Sequence, residues 1–229
     1  MRIGIVCYPT FGGSGVVATE LGMALADKGH EVHFVTYNQP VRLDFISHDL
    51  HFHEVLMEEY PLFQYQPYEL ALSTKLVEVV SKYNLEILHV HYAIPHAYAA
   101  YMAKMMLKEK GINIKVVTTL HGTDITLVGS HPSYKTAVEF SINNSDVVTS
   151  VSESLKQDTL RLFKITNEIK VVHNFIDAEK YDRESLNECQ TTAVAKPEER
   201  ILTHISNFRP VKRIEDVIKV FHSVKKVIS

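Results

Sequence analysis

Short apolar, β-branched runs alternate with longer segments of helical period over three quarters of this chain, and that rhythm constrains the fold more than any single residue. The runs are RIGIVCY (2–8), HEVHFVTY (30–37), a segment near 51–57, EILHVH (86–91), IKVVTTL (114–120), DVVTSV (146–151) and IKVVHNF (169–175). Helical patterns fill 15–28, 69–83, 95–110, 133–143 and 152–163, the last opened by Ser152 as N-cap. Strands apolar along their whole length must be covered on both faces, and helical crossovers provide that cover for parallel strands. The expected fold class is therefore α/β, a doubly wound parallel sheet.

After residue 177 the pattern changes. Residues 178–200 are polar, contain Pro197 and hold no period, which predicts a linker. ILTHISNF (201–208) then reads as a strand, and over 213–229 Ile214, Val217, Ile218, Phe221, Val224 and Ile228 form one helical stripe. One strand and one amphipathic helix cannot bury each other's apolar surface as an independent unit. The expected organisation is a domain over 1–177, a linker over 178–200, and the truncated start of a second α/β lobe over 201–229.

At 229 residues, 45% apolar and 22% charged, the chain can build a sizeable core. A net charge of −3 argues against a broad nucleic-acid surface and leaves room only for a short basic cluster. Cys7 and Cys189 make no disulfide framework, and no run reaches the length of a membrane span or a signal core. A cytoplasmic protein, with neither nucleic acid nor membrane as partner, is expected.

The stretch CYPTFGGSGVVATELGMALADKG (7–29) joins a strand to a helix through Gly12, Gly13, Ser14 and Gly15. Helix mouths bind anions because their first N–H groups lack intrahelical acceptors and the macrodipole is positive there. Gly13-x-Gly15-x-x-Ala18 also satisfies the dinucleotide fingerprint, but the second strand ends in Thr36, Tyr37 and Asn38, without the acid that a ribose needs. A dinucleotide, another anion and a bare turn all remain open on this stretch alone.

Two further loops follow strands. HVHYAIPH places Tyr92 and His96 after a strand's carboxyl end, where open α/β sheets bind ligands. TTLHGTDITLVG brings Thr119, His121, Gly122, Thr123 and Asp124 together as a donor and acceptor cluster suited to sugar hydroxyls or to an oriented imidazole. The pairs His51/His53 and His89/His91 have no Cys or carboxylate adjacent to complete a ligand set, so no metal is expected. GGSGV lacks the last glycine of a nucleophile elbow, which weakens a hydrolase reading. In SNFRPVKR, Arg209, Lys212 and Arg213 offer charge to a diphosphate, and no D-x-D stretch is present to hold Mg²⁺ or Mn²⁺.

Six segments in order, GGSGVVATELGMALADKGHEVHFVT, HVHYAIPHAYAAYMA, VTTLHGTDIT, SDVVTSVSESL, VVHNFID and ISNFRPVKRIEDVIKVF, resemble the retaining GT-B glycosyltransferases, built from two Rossmann-like lobes. Within that group the chain is most similar to the N-acetyl-α-D-glucosaminyl L-malate synthases of bacillithiol biosynthesis. The resemblance implies transfer of GlcNAc from UDP-GlcNAc to the hydroxyl of L-malate, with no cofactor and no metal. It implies that Gly13, Ser14 and Gly15 lie against the donor diphosphate and acceptor, that Tyr92 and Thr119 line the acceptor side, and that His121, Arg209 and Lys212 are catalytic. Asn207 stands where relatives outside this subgroup carry Arg, and Phe175 where many carry Gly. The family's donor-gripping glutamates belong to a region beyond this sequence, so a homo-oligomer or a partner would have to supply the missing lobe, and little activity is expected from these residues alone. A related acceptor, or a non-catalytic binding module, stays open beside this reading.

Overall fold

The computed structural model describes residues 1–43, 48–58, 61–178, 195–196, 199–206, 208 and 210–228. Among them the chain divides into two units, Met1–Ile176 and Asp177–Ser229. Most of the expected linker over 178–200 lies outside the described residues, as do Cys189, Asn207 and Arg209.

The first unit holds strands β1 (Arg2–Val6), β2 (Glu31–Thr36), β3 (Leu50–Glu54), β4 (Ile87–His91), β5 (Lys115–Leu120), β6 (Val147–Ser150) and β7 (Ile169–Val171). All pair in parallel in one sheet of order β3-β2-β1-β4-β5-β6-β7. Helices α1 (Gly13–Asp27), α2 (Tyr68–Tyr83), α3 (Tyr98–Glu109), α4 (Pro132–Asn143) and α5 (Glu153–Leu162) connect them. Ser152 caps α5 as expected, its Oγ accepting from Leu155 N–H at 3.1 Å.

Burial explains why these strands read as continuous apolar runs. In β1, Ile3 and Ile5 join the cluster under α1 with Val32 and Phe34 of β2, whereas Val6 joins the opposite cluster with Val90 and residues of α2 and α3. Alternate residues thus enter different cores. A third cluster, with Leu120, Val138, Ile142, Val148 and Leu155, fills the space between β5, β6, α4 and α5.

In the second unit a 3₁₀ turn (Pro210–Lys212) leads into α6 (Ile214–Ile228), which carries the expected apolar stripe. The expected strand over 201–208 is not formed in its described residues: 201–205 are exposed and join no strand ladder. Extended backbone is held by ladder bonds to a neighbour, and the described residues of this unit contain no strand that could supply them. Among the described residues, no helix is long and apolar enough to cross a membrane.

Candidate functional site

The sheet grows from β1 outward to β2 and β3, and then resumes with β4 on the other side of β1. At such a reversal the loops leaving the two central strands part and open a crevice at their carboxyl ends. The glycine turn leaves β1 there, and the segment beginning at Tyr92 leaves β4 beside it.

Helix α1 begins at Gly13, after Gly12 in extended conformation, with no side chain capping it. Val16 N–H donates to the Gly12 carbonyl at 3.2 Å. The N–H groups of Gly13, Ser14 and Gly15 precede that bond and have no acceptor within the helix. The two glycines of this mouth differ. A Cβ on Gly13 would meet nothing within 4 Å, whereas one on Gly15 would lie 2.4 Å from both the Tyr8 and Thr10 carbonyl oxygens. Gly15 is required by the folding of the turn on itself, and Gly13 faces open space.

Ser14 Oγ and Tyr92 Oη are 2.9 Å apart, joining the first turn of α1 to the end of β4. Tyr92 has φ 89°, a conformation that costs a non-glycine residue roughly 1–3 kcal/mol. Its neighbours hold it there: Tyr92 N–H donates to the Thr119 carbonyl at 2.9 Å, and the next residue, Ala93, donates its N–H to Asp124 Oδ2 at 3.0 Å. Asp124 Oδ1 accepts from the N–H groups of His121 and Gly122 at 3.2 and 2.9 Å. Within the polar cluster after β5, Asp124 therefore points inward, 2% exposed, and ties the loops after β4 and β5 together. Burial raises its pKa, while the backbone N–H groups of Ala93, His121, Gly122 and Asp124 itself pull in the other direction.

Behind Tyr92 lies a row of imidazoles. His91 Nδ1 and His121 Nε2 are 2.8 Å apart, and the rings of His89 and His91 stack at 4.8 Å. His89 Nε2 meets Thr119 Oγ1 at 2.8 Å, and Thr119 Oγ1 meets Thr149 Oγ1 at 2.7 Å. His96 Nδ1 donates to the His91 carbonyl, which leaves its Nε2 as a bare lone pair. Among the described residues that atom, His91 Nε2 and Tyr68 Oη are buried without hydrogen-bond partners. Burial lowers His121 to a pKa of about 4, helped by His89 and His96. His89 and His96 also fall to about 4 through burial, and His91 lies well below its ordinary value for the same reason. The row is neutral at pH 7.

Gly13, Ser14, Gly15, Tyr92, Thr119 and His121 are thus gathered around one crevice, with unequal parts. The Thr119 hydroxyl is engaged by its neighbours and the residue is 8% exposed, so it supports Tyr92 from behind. The rings of Tyr92 and His121 lie 5.4 Å apart. Lys212 belongs to the second unit, where it is exposed, and Arg213 is paired there with Asp216 at 2.6 Å. Sequence reasoning missed Tyr8, whose ring lies 5.2 Å from Tyr92 and 4.6 Å from His96. Its position at the carboxyl end of β1 was the available signal. Tyr68, in α2, had none.

The family model described as Glycosyltransferase Family 4 matches residues 11–180. N-acetyl-α-D-glucosaminyl L-malate synthase of Bacillus anthracis is 51% identical over 224 residues, covering 98% of this chain and 58% of the relative. A solved glycosyltransferase from Rickettsia africae superposes with a TM-score of 0.60 at 24% identity, over 81% of this chain and 46% of that one. Anabaena HepE in complex with UDP-glucose superposes with a TM-score of 0.58 at 15% identity, over 79% of this chain and 46% of that one. The described sheet and these likenesses establish the fold as a Rossmann-like α/β lobe of the GT-B type. The chain spans little more than half the length of the Bacillus anthracis relative.

Proposed function

Because the chain belongs to Glycosyltransferase Family 4, we propose that it provides the acceptor side of an enzyme that transfers GlcNAc, with retention, from UDP-GlcNAc to the hydroxyl of L-malate. The observation that carries this reading is the 51% identity to a relative whose name states that product. The relative is longer than this chain, and the reaction is assigned to the whole protein. A nucleotide-sugar donor fits a cytoplasmic location.

In the proposed step the bond from the sugar's anomeric carbon to the UDP oxygen breaks. A bond from that carbon to the malate oxygen forms on the same face, and the malate proton passes to the departing phosphate. Charge grows on the leaving diphosphate, so groups placed against it lower the barrier. By the family resemblance this role falls to Arg209 and Lys212; the N–H groups of Gly13 and Ser14, at a helix mouth, are separately suited to an anion. No metal is needed at the phosphate.

His121 orients the sugar and the acceptor. A ring with a pKa of about 4 is neutral at pH 7, so it is no imidazolium acid and is a weak base, which supports orientation over proton transfer. The Ser14 and Tyr92 hydroxyls share a hydrogen bond at the crevice, where they set the polarity offered to an acceptor. A phosphate-bearing acceptor would call for cations beside Tyr92, and HYAIPHAYAAYMAK offers none before Lys104.

The test is product identification by mass spectrometry after the whole protein is supplied with a mixture of UDP-sugars and hydroxy acids. Formation of α-linked GlcNAc-malate alone supports the reading. A different sugar, a different acid, or tight binding without product overturns it.

A further inference from the structure

At one edge of the sheet, β2 and β3 pair with His33 opposite His51 and Val35 opposite His53. Side chains two apart on a strand share a face, so Glu31 and His33 on β2 stand beside His51 and His53 on β3. Glu31 Oε1 lies 3.0 Å from His33 Nε2 and 3.6 Å from His51 Nε2. One ligand atom from each of these three residues lies within 4.8 Å of the others. The Tyr83 ring of α2 stands against the group, 4.6 Å from His33 and 5.0 Å from His53.

We infer that Glu31, His33 and His51 form a binding site for a divalent transition ion, Zn²⁺ foremost, with His53 as a positioning residue. Two imidazoles and one carboxylate are a zinc donor set, with a fourth place for water. With metal–ligand bonds of about 2.0–2.1 Å, tetrahedral ligand atoms stand roughly 3.4 Å apart, and the separations of 3.0 and 3.6 Å bracket that figure. The His33 side chain is fully buried, while those of Glu31 and His51 are 36% and 31% exposed, so an ion enters from the solvent side.

The fourth residue gives the cluster the form of a metal centre. His33 Nδ1 is 2.8 Å from His53 Nε2. Without an ion, His33 donates Nε2–H to Glu31 and accepts from His53. With one, the Nε2 lone pair turns to the metal and Nδ1–H donates to His53, so both rings exchange tautomers and stay neutral. Such second partners fix the ring of a metal-bound histidine. Arg2, opposite Glu31 in the β1–β2 register, works against a cation, and the Glu31 carboxylate offsets it. The ligands lie on the edge pair of strands, away from the crevice between β1 and β4, which makes the ion a clasp holding β3 to β2.

The test is titration of the metal-free chain with Zn²⁺ and with Co²⁺ alone, followed by calorimetry, the Co²⁺ ligand-field spectrum and thermal unfolding. One equivalent should bind, give a low-coordinate Co²⁺ spectrum and raise Tm. Glu31→Gln and His51→Ala, at partly exposed positions that the fold tolerates, should each remove the stoichiometric uptake. His53→Ala should keep the stoichiometry, weaken binding about 10–100-fold and change the Co²⁺ spectrum, with His53→Gln restoring most of the affinity. His131→Ala, which removes the side-chain cap of α4 away from the cluster, should leave the Zn²⁺ stoichiometry and affinity unchanged. Absence of stoichiometric uptake, or equal uptake by Glu31→Gln and His51→Ala, overturns the inference.

Discussion

The Ser14 and Tyr92 hydroxyls meet at 2.9 Å across the point where the strand order reverses, linking the mouth of α1 to the strained residue that follows β4. Tyr92→Phe keeps the ring and deletes that bond. It should lower the free energy of unfolding by about 0.5–1.5 kcal/mol in urea titration. In the whole enzyme it should raise KM for the hydroxy acid more than it lowers kcat.

The two glycines of the helix mouth should respond in opposite ways. Gly15→Ala sets a methyl group 2.4 Å from two backbone oxygens, which cannot swing aside, and should cost about 1–3 kcal/mol of stability or more. Gly13→Ala meets no atom and should fold at least as well as the parent, since alanine is the better helix former. Its methyl group should instead weaken UDP binding, measured by calorimetry on the whole protein. Equal melting temperatures for the two variants would contradict this division.

Asp124→Asn replaces a carboxylate that accepts three backbone N–H groups with an amide whose NH₂ faces donors. The expected loss is about 1–3 kcal/mol for each N–H left unpaired. Amide hydrogen exchange should quicken at Ala93, His121 and Gly122 together, because one side chain holds both loops.

The His121 contribution to stability should fall as pH drops from 6.5 toward 4. Folded His121 takes a proton only near pH 4, whereas its ordinary pKa is 6.5, so the unfolded chain binds more protons between those values. The contribution is complete above pH 6.5 and is lost as pH falls toward 4, at up to about 1.4 kcal/mol per pH unit. His121→Asn should flatten the plot of unfolding free energy against pH by up to that slope in this window. The raised carboxyl of Asp124 acts in the opposite sense and is common to both proteins, so it cancels from the difference.

Lys212→Ala in the whole enzyme should lower kcat by about 10²-fold with a smaller effect on KM, because the charge it meets grows toward the transition state. A change confined to KM would remove Lys212 from that role.

Much of this was legible in the residues. Apolar runs bounded by glycine, proline and polar turns marked every strand of the first unit, and Ser152 marked the start of α5, because period and capping are local properties of the chain. Local signals likewise found the crevice loops: glycines at a helix mouth, and Tyr92 and His121 just beyond strand ends. Strand 201–208 failed for the complementary reason, since an extended segment becomes a strand only when another lies beside it.

The sequence by itself determined the order of elements, the parallel sheet and the positions of the loops at the carboxyl ends of its strands. Tertiary structure alone decided which side chains meet: that Asp124 turns inward to bind two loops, that Gly15 serves the turn while Gly13 stays open, and that Glu31 reaches His51, twenty positions away. Periodicity tells which face a residue occupies. What stands opposite it depends on strand order and register, which are set by burial summed over the whole sheet.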